Sequence, residues 1–179
     1  APHWAQERAL REGARALGYS ETISYTLVAP RVTAAFSLYE PVRVANPLSE
    51  EASVLRSSLL PSLLNAVEWN LNRGARSVRL FELGKAYREE GRDYQELPVL
   101  GLAVSGPAAP LSLHAPAREF GFFDLKGDLE QLLELFEYRR LYFDSDPGVD
   151  YYHPGRAARA ALDGQTVARA KEVGVDIHA

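Results

Sequence analysis

The chain has 179 residues, 46% of them apolar, enough to bury a core of its own and a size expected of one domain over 1–179. Its 20 basic and 24 acidic residues leave a net charge of −4, which argues against a protein whose main task is gripping nucleic acid, because phosphate binding rests on clustered Lys and Arg. Cysteine is absent, so disulfides, thiolate catalysis and Cys-ligated zinc are excluded, and no apolar run approaches the roughly 20 residues that a bilayer span needs.

The opening Ala1-Pro2-His3-Trp4 has neither the basic nor the apolar stretch of a secretory signal, so a cytoplasmic location with no membrane association is expected. With no Met anywhere, a fragment of a longer chain is expected. Trp4, Leu10, Ala14 and Leu17 fall on one stripe among Gln, Glu and Arg. This predicts a short amphipathic helix over 4–17, ended by Gly18. Over 21–28, Ile23, Tyr25 and Leu27 alternate with Thr22, Ser24 and Thr26, the period of a half-buried strand, which Pro30 closes.

A short segment over 32–38 leads to a strand candidate at Val42-Arg43-Val44 and a turn at Asn46-Pro47. A second helix follows, with Pro61 in its first turn, Leu60, Leu64, Val67 and Leu71 on one stripe, and Gly74 at its end. Strand segments are expected over 78–83 and 85–88 around Gly84, and again over 98–105, before a loop over 106–116. The third helix carries Leu125, Leu129, Leu132, Leu133 and Phe136 opposite Lys126, Glu130, Gln131 and Glu134. Strand candidates at 140–143 and 156–162 and a turn at Asp163-Gly164 complete the series. Several strand pairs have only short connections, which favours an α+β fold with a mostly antiparallel sheet flanked by helices.

Chemistry-bearing clusters are sparse. His3, His114, His153 and His178 lie far apart without metal-ligand spacing, and the common phosphate-cradling glycine motifs are missing, so no catalytic, cofactor or metal residue is assigned. Arg73, Arg76, Arg79, Lys85, Arg88 and Arg92, interleaved with Trp69, Phe81, Tyr87 and Tyr94, make a locally basic stretch. An RNA-facing surface at Arg73, Arg76 and Arg88 is one reading; a solvated face offset by Glu68, Glu82, Glu89 and Glu90 is the other. Arg88, in Tyr87-Arg88-Glu89-Glu90, has the chemistry of a phosphate clamp but no second arginine in a matching motif. Asp144, Asp146 and Asp150, with Pro147-Gly148, read as a turn.

Particular words carry a resemblance. Asn46-Pro47-Leu48-Ser49-Glu50-Glu51, Val54-Leu55-Arg56-Ser57-Ser58-Leu59-Leu60-Pro61-Ser62-Leu63-Leu64, Asn70-Leu71-Asn72-Arg73-Gly74 and Leu80-Phe81-Glu82-Leu83-Gly84 resemble the catalytic-like module of bacterial phenylalanyl-tRNA synthetase β subunits. Leu17-Gly18-Tyr19, Phe123-Asp124-Leu125-Lys126-Gly127-Asp128-Leu129-Glu130 and His153-Pro154-Gly155-Arg156-Ala157-Ala158 match in the same order, so the resemblance covers nearly the whole chain.

The resemblance implies a class II aminoacyl-tRNA synthetase fold inside a tetramer of two α and two β subunits. In that family the α subunit carries the site for ATP, magnesium and phenylalanine, and the β module serves assembly and placement of tRNA(Phe). The helix and strand from Trp4 onward stand where class II motif 1 would be, which makes Trp4, Leu10 and Leu17 candidate subunit-interface residues. Residues 81–90 stand where motif 2 would be, with Arg88 as its arginine, and motif 3 has no match. The ending from Ala168 departs from the family's Gly-x-Leu-His-Pro-like pattern, and the family's editing, metal-associated and anticodon-binding domains have no counterpart in this sequence. The chain alone is therefore expected to be inactive. A free-standing class II paralogue and an independent RNA-binding domain are the rival readings.

Overall fold

A computed structural model describes residues 3–34, 36, 40–91, 93–109, 118–136, 141–144, 157–162 and 165–171. The chain divides into two compact units, Ala1–Pro107 and Ala108–Ala179.

The first unit is a three-stranded sheet with a helix on each face. Helix α1 (His3–Ala16) ends in a Schellman motif: Gly18 has φ of +88°, and the N–H groups of Gly18 and Tyr19 donate to the carbonyls of Arg15 and Ala14, each at 3.0 Å. Strand β1 (Ser20–Glu21) then pairs in parallel with β4 (Val78–Glu90), while β4 pairs antiparallel with β5 (Asp93–Ser105) through an unbroken register from Val78↔Ser105 to Glu90↔Asp93. Between them lie β2 (Leu27–Val28), helix α2 (Pro30–Ala34), a 3-10 turn at Glu50–Ala52, and β3 (Val54–Leu55), antiparallel to β2. Arg43 bridges to Val54, where a strand was expected over 42–44.

Helix α3 (Leu60–Leu71) has Pro61 in its first turn, where the missing N–H costs nothing. Its buried residues are Pro61, Leu63 and Val67, with Leu71 packed against the same cluster; Val67 and Leu71 lie as predicted, while in the first turns Leu63 is buried and Leu60 and Leu64 are only half-buried. Leu59, Leu63 and Val67 pack on Val78 and Leu80, joined by Val99 and Ala103. Because successive strand side chains point to opposite faces, Glu82, Gly84 and Ala86 lie on the α3 face as well. A Cβ on Gly101 would stand 2.5 Å from Leu63 Cδ1, so a larger residue there would force Leu63 to shift. Gly84 does not interrupt β4: the two predicted segments are one strand, and its missing Cβ leaves room for the Arg56 guanidinium.

The largest departure from the predicted pattern lies over 22–26. The strand expected over 21–28 is broken there into β1 and β2 with irregular backbone between them, and the usual sides are exchanged: Ile23 and Tyr25 are each 89% exposed and Leu27 is 39% exposed, while Ser24 turns inward. The cause is a buried carboxylate. Glu82 takes hydrogen bonds from the Ser24 hydroxyl at 2.6 Å and the Ser24 N–H at 3.3 Å, and a buried charge must be so satisfied.

The second unit contains β6 (Pro107–Ala109) paired with β7 (Arg118–Glu119), so part of the predicted loop is strand. Helix α4 (Phe122–Glu134) is the predicted third helix, with Leu132 its buried residue. The Gly121 N–H donates to the Asp124 carboxylate at 2.9 Å, and Arg118 grips the same carboxylate at 2.6 and 2.7 Å. Strands β8 (Leu141–Asp144), β9 (Ala157–Leu162) and β10 (Gln165–Lys171) form an antiparallel sheet in the order β10-β9-β8. The predicted turns around Asp146, Asp150 and 163–164, the loop residues 110–117 with His114, the His153-Pro154-Gly155-Arg156 landmark, Arg92 and the residues from 172 onward lie outside the described residues.

Candidate functional site

Three places in the first unit hold the candidate residues. The first is buried. Arg56, directly after β3, is 4% exposed and Glu82 is 2% exposed, and their Nη1–Oε1 distance is 2.7 Å. The Arg56 Nε also donates to the Lys85 carbonyl at 2.9 Å and its Nη1 to the Ser24 hydroxyl oxygen at 2.7 Å. The Arg56 backbone is held too: its N–H donates to the Thr26 carbonyl at 2.9 Å, and its carbonyl accepts from the Tyr87 N–H at 2.9 Å. One side chain thus ties the segment over 22–26 to β4. The pair is a fixed strut, with both charges occupied internally.

The second place is α1. Trp4 is 66% exposed, whereas Leu10 and Leu17 are half-buried and Ala14 is fully buried. The helix is anchored at its C-terminal half: Arg11 and Arg15 both reach the Glu21 carboxylate at 2.8 Å, and the Leu17 carbonyl accepts from Arg79 Nη1 at 3.1 Å. In its N-terminal half, residues 4–8 are exposed. A cleft of about 450 Å³ runs there, lined by Gln6 and Leu10 on the helix and by Leu83, Lys85, Pro98 and Leu100 on the sheet. At its rim Lys85 meets Glu96 at 2.5 Å, an ion pair that raises the Lys85 ammonium above its ordinary range and lowers the Glu96 carboxyl below its own, chiefly through the hydrogen bond between them.

The third place holds the arginines, which the structure separates. Arg73 and Arg76 lie exposed just beyond α3, while Arg88 is near the hairpin end of β4. The twelve residue steps of largely extended chain from Arg76 to Arg88 span about 40 Å, so the three do not form one patch. Arg88 donates through Nε and Nη2 to the side-chain oxygen of Gln95, its cross-strand partner, at 2.9 and 2.6 Å. Arg73 instead lies over the Trp69 ring, 3.5 Å from its centroid.

Sequence reasoning missed Arg56, Glu82 and the outward set Ile23, Tyr25 and Leu27. For Glu82 a signal existed: it shares the inward alternation class of Val78 and Leu80, where a carboxylate requires a buried partner. Among the described residues, no group of three His, Asp or Glu side chains is placed to hold a metal ion, and no helix is long and apolar enough to cross a membrane.

Residues 1–177 match the family model described as phenylalanyl tRNA synthetase beta chain CLM domain. The chain is 34% identical over 163 residues to the phenylalanine–tRNA ligase beta subunit of Acinetobacter baylyi, covering 88% of this chain and 20% of that protein. It is 36% identical over 168 residues to the subunit of the same name from Ralstonia nicotianae, again covering 88% and 20%. The chain thus spans about a fifth of the length of the curated relatives it matches. Among solved structures, a pyrrolysyl tRNA synthetase from Desulfitobacterium hafniense superposes with a TM-score of 0.64 at 20% identity, over 93% of this chain and 56% of the other. The fold is that of a class II synthetase: α+β, with a mainly antiparallel sheet.

Proposed function

The chain belongs to the phenylalanyl tRNA synthetase beta chain CLM domain family, and from that premise we propose that it is the non-catalytic synthetase-fold module of a β subunit, serving assembly with a catalytic α subunit. The whole complex, two α and two β subunits, charges tRNA(Phe) with phenylalanine using ATP and magnesium held by the α subunit. This module contributes a folded surface rather than a reacting group. The observation that carries the reading is the outward apolar set: Ile23 and Tyr25 stand in solvent on the irregular segment between β1 and β2, within the stretch where the family resemblance puts the subunit-joining motif. Trp4 stands exposed on the preceding helix. Aromatic side chains of this kind are enriched at the energetic centres of interfaces. Arg88 supports the same reading, because its guanidinium is engaged by Gln95 within its own hairpin.

The test uses co-purification with a cognate α subunit. Trp4→Ala leaves the melting temperature of the chain nearly unchanged and weakens α-subunit binding by about 2 kcal/mol or more, the usual hot-spot threshold. If the variant binds α normally, α1 is not the interface. Calorimetry supplies a second check. The isolated chain shows no low-micromolar ATP affinity dependent on Arg88, since a phosphoryl group needs several convergent donors.

A further inference from the structure

The ion pairs of the described residues leave a particular remainder. Arg8, Arg11, Arg15, Arg31, Arg56, Lys85, Arg118 and Lys126 each meet a carboxylate within 4 Å. Of the exposed arginines, Arg43, Arg73 and Arg76 show no such pair among the described residues, and of these Arg73 lies over an aromatic ring. The run 60–81 contains three arginines and a single acidic residue, Glu68, in a chain whose net charge is −4. Glu68 is exposed and pairs with neither arginine.

Four residues before Arg73 stands Trp69, 55% exposed on the last turn of α3. The Arg73 guanidinium carbon lies 3.5 Å from the indole centroid and the same group donates to the Trp69 carbonyl at 3.2 Å, which holds the ring and the charge together. Beyond it the backbone turns through Gly74 at φ of +87°, and nothing lies within 4 Å of where its Cβ would be. An exposed indole with a guanidinium over its ring, followed along the chain by a second cation without an ion pair, suits a flat base with a phosphate beside it. A protein partner of high acidity would satisfy the charges but leave the indole without a matching face.

We propose that Trp69, Arg73 and Arg76 form a stacking platform for an unpaired nucleotide of RNA, with Trp69 or the Arg73 plane taking the base and Arg76 a neighbouring phosphate. Arg88 has no part in it. The proposal rests on the module's place in a tRNA-charging complex, yet its readout needs no α subunit, so its failure and the failure of the assembly reading are separable.

The experiment titrates the full chain into a fluorescein-labelled, mixed-sequence 20-nucleotide single-stranded RNA, into the same sequence annealed as a duplex, and into poly-glutamate as an acidic protein mimic. The single strand binds more tightly than the duplex and is not displaced by poly-glutamate at equal charge. Trp69→Ala weakens single-strand binding about tenfold or more, the scale of one lost base stack, while Trp69→Phe retains most of it. Arg73→Ala and Arg76→Ala each weaken binding, and Arg76→Ala reduces the salt slope by about 0.7, one phosphate. Arg31→Ala, which removes a cation already paired with Glu51, has no comparable effect. Equal losses from Arg31→Ala and Arg76→Ala, or an unchanged affinity in Trp69→Ala, overturn the platform. Displacement by poly-glutamate overturns it in favour of an acidic protein partner.

Discussion

The segment 22–27 and the strut beneath it reverse the usual arrangement of a small domain. Under the segment, two full charges, Arg56 and Glu82, are almost entirely buried; on its outer side Ile23 and Tyr25 are almost entirely exposed. A domain selected only for its own stability would exchange these environments, because burying apolar area stabilises at about 25 cal/mol per Å² and burying a charge pair costs desolvation. The contrast teaches that the strut's task is placement. It fixes an extended segment, through Ser24 and Thr26, so that its apolar side chains point away from the chain's own core and toward something else.

The comparison breaks first at the strut. Arg56→Ala leaves Glu82 buried and uncompensated, and should cost about 3 to 5 kcal/mol in urea unfolding. Arg56→Met combined with Glu82→Leu should cost much less, because both charges leave together. If the single and double variants are equally damaged, the pair is not the element that matters. Gly84→Ala probes the same strut without removing a charge. Its Cβ would collide with the Arg56 guanidinium and sit 3.1 Å from Leu59 Cδ2, so a cost of about 1 to 3 kcal/mol is expected from forced repacking. That cost should shrink in an Arg56→Met background.

The opposite side of the segment should respond in the opposite way. Tyr25→Ser, at an 89% exposed position, should change the stability of the isolated chain by no more than about 0.5 kcal/mol. The same variant should lower α-subunit capture clearly. A large loss of folding stability with normal capture would mean that Tyr25 is covered within the chain in solution.

Much of this contrast was legible only by half. Helical spacing located α1, α3 and α4, and Gly18 and Gly74 marked real ends, because caps and periodicity are local properties. The period of two over 22–27 was equally local and equally visible. Which side faces inward was not, because it depends on Glu82 and Arg56, 58 and 32 residues away from Ser24. Arg56 sits in Val54-Leu55-Arg56-Ser57, a string with nothing to distinguish it from a surface arginine. Gly84 misled for the same reason: a glycine that suggests a break in a strand was there to admit a side chain from elsewhere. The arginines at 73, 76 and 88 looked like one basic stretch in one dimension, and an extended β4 pulled them apart.

The smallest expected effect lies at the rim of the cleft, in the exposed counterpart of the strut. Glu96 sits between Lys85 at 2.5 Å and the Tyr87 hydroxyl at 3.1 Å. The hydrogen bond from Lys85 is the main cause of its lowered pKa, with burial opposing and Tyr87 adding to the lowering. A carboxyl whose folded pKa lies below its unfolded one stabilises the fold above the unfolded value, and that contribution fades as pH falls through the folded value. Lys85 works at the other end of the scale. Its pKa is raised, so its contribution is complete below the ordinary lysine range and is lost as pH rises through the folded value. Glu96→Gln should therefore flatten a slight acid-side decline in melting temperature and remove the Lys85-dependent alkaline decline as well. Both charges are solvated, so the effects should be small and should fade as salt shortens the screening length to about 10 Å at 0.1 M and below. An acid-side decline of the same size in wild type and Glu96→Gln, at low salt, would mean that this pair does not persist in solution and that the rim of the cleft is free to rearrange around a partner.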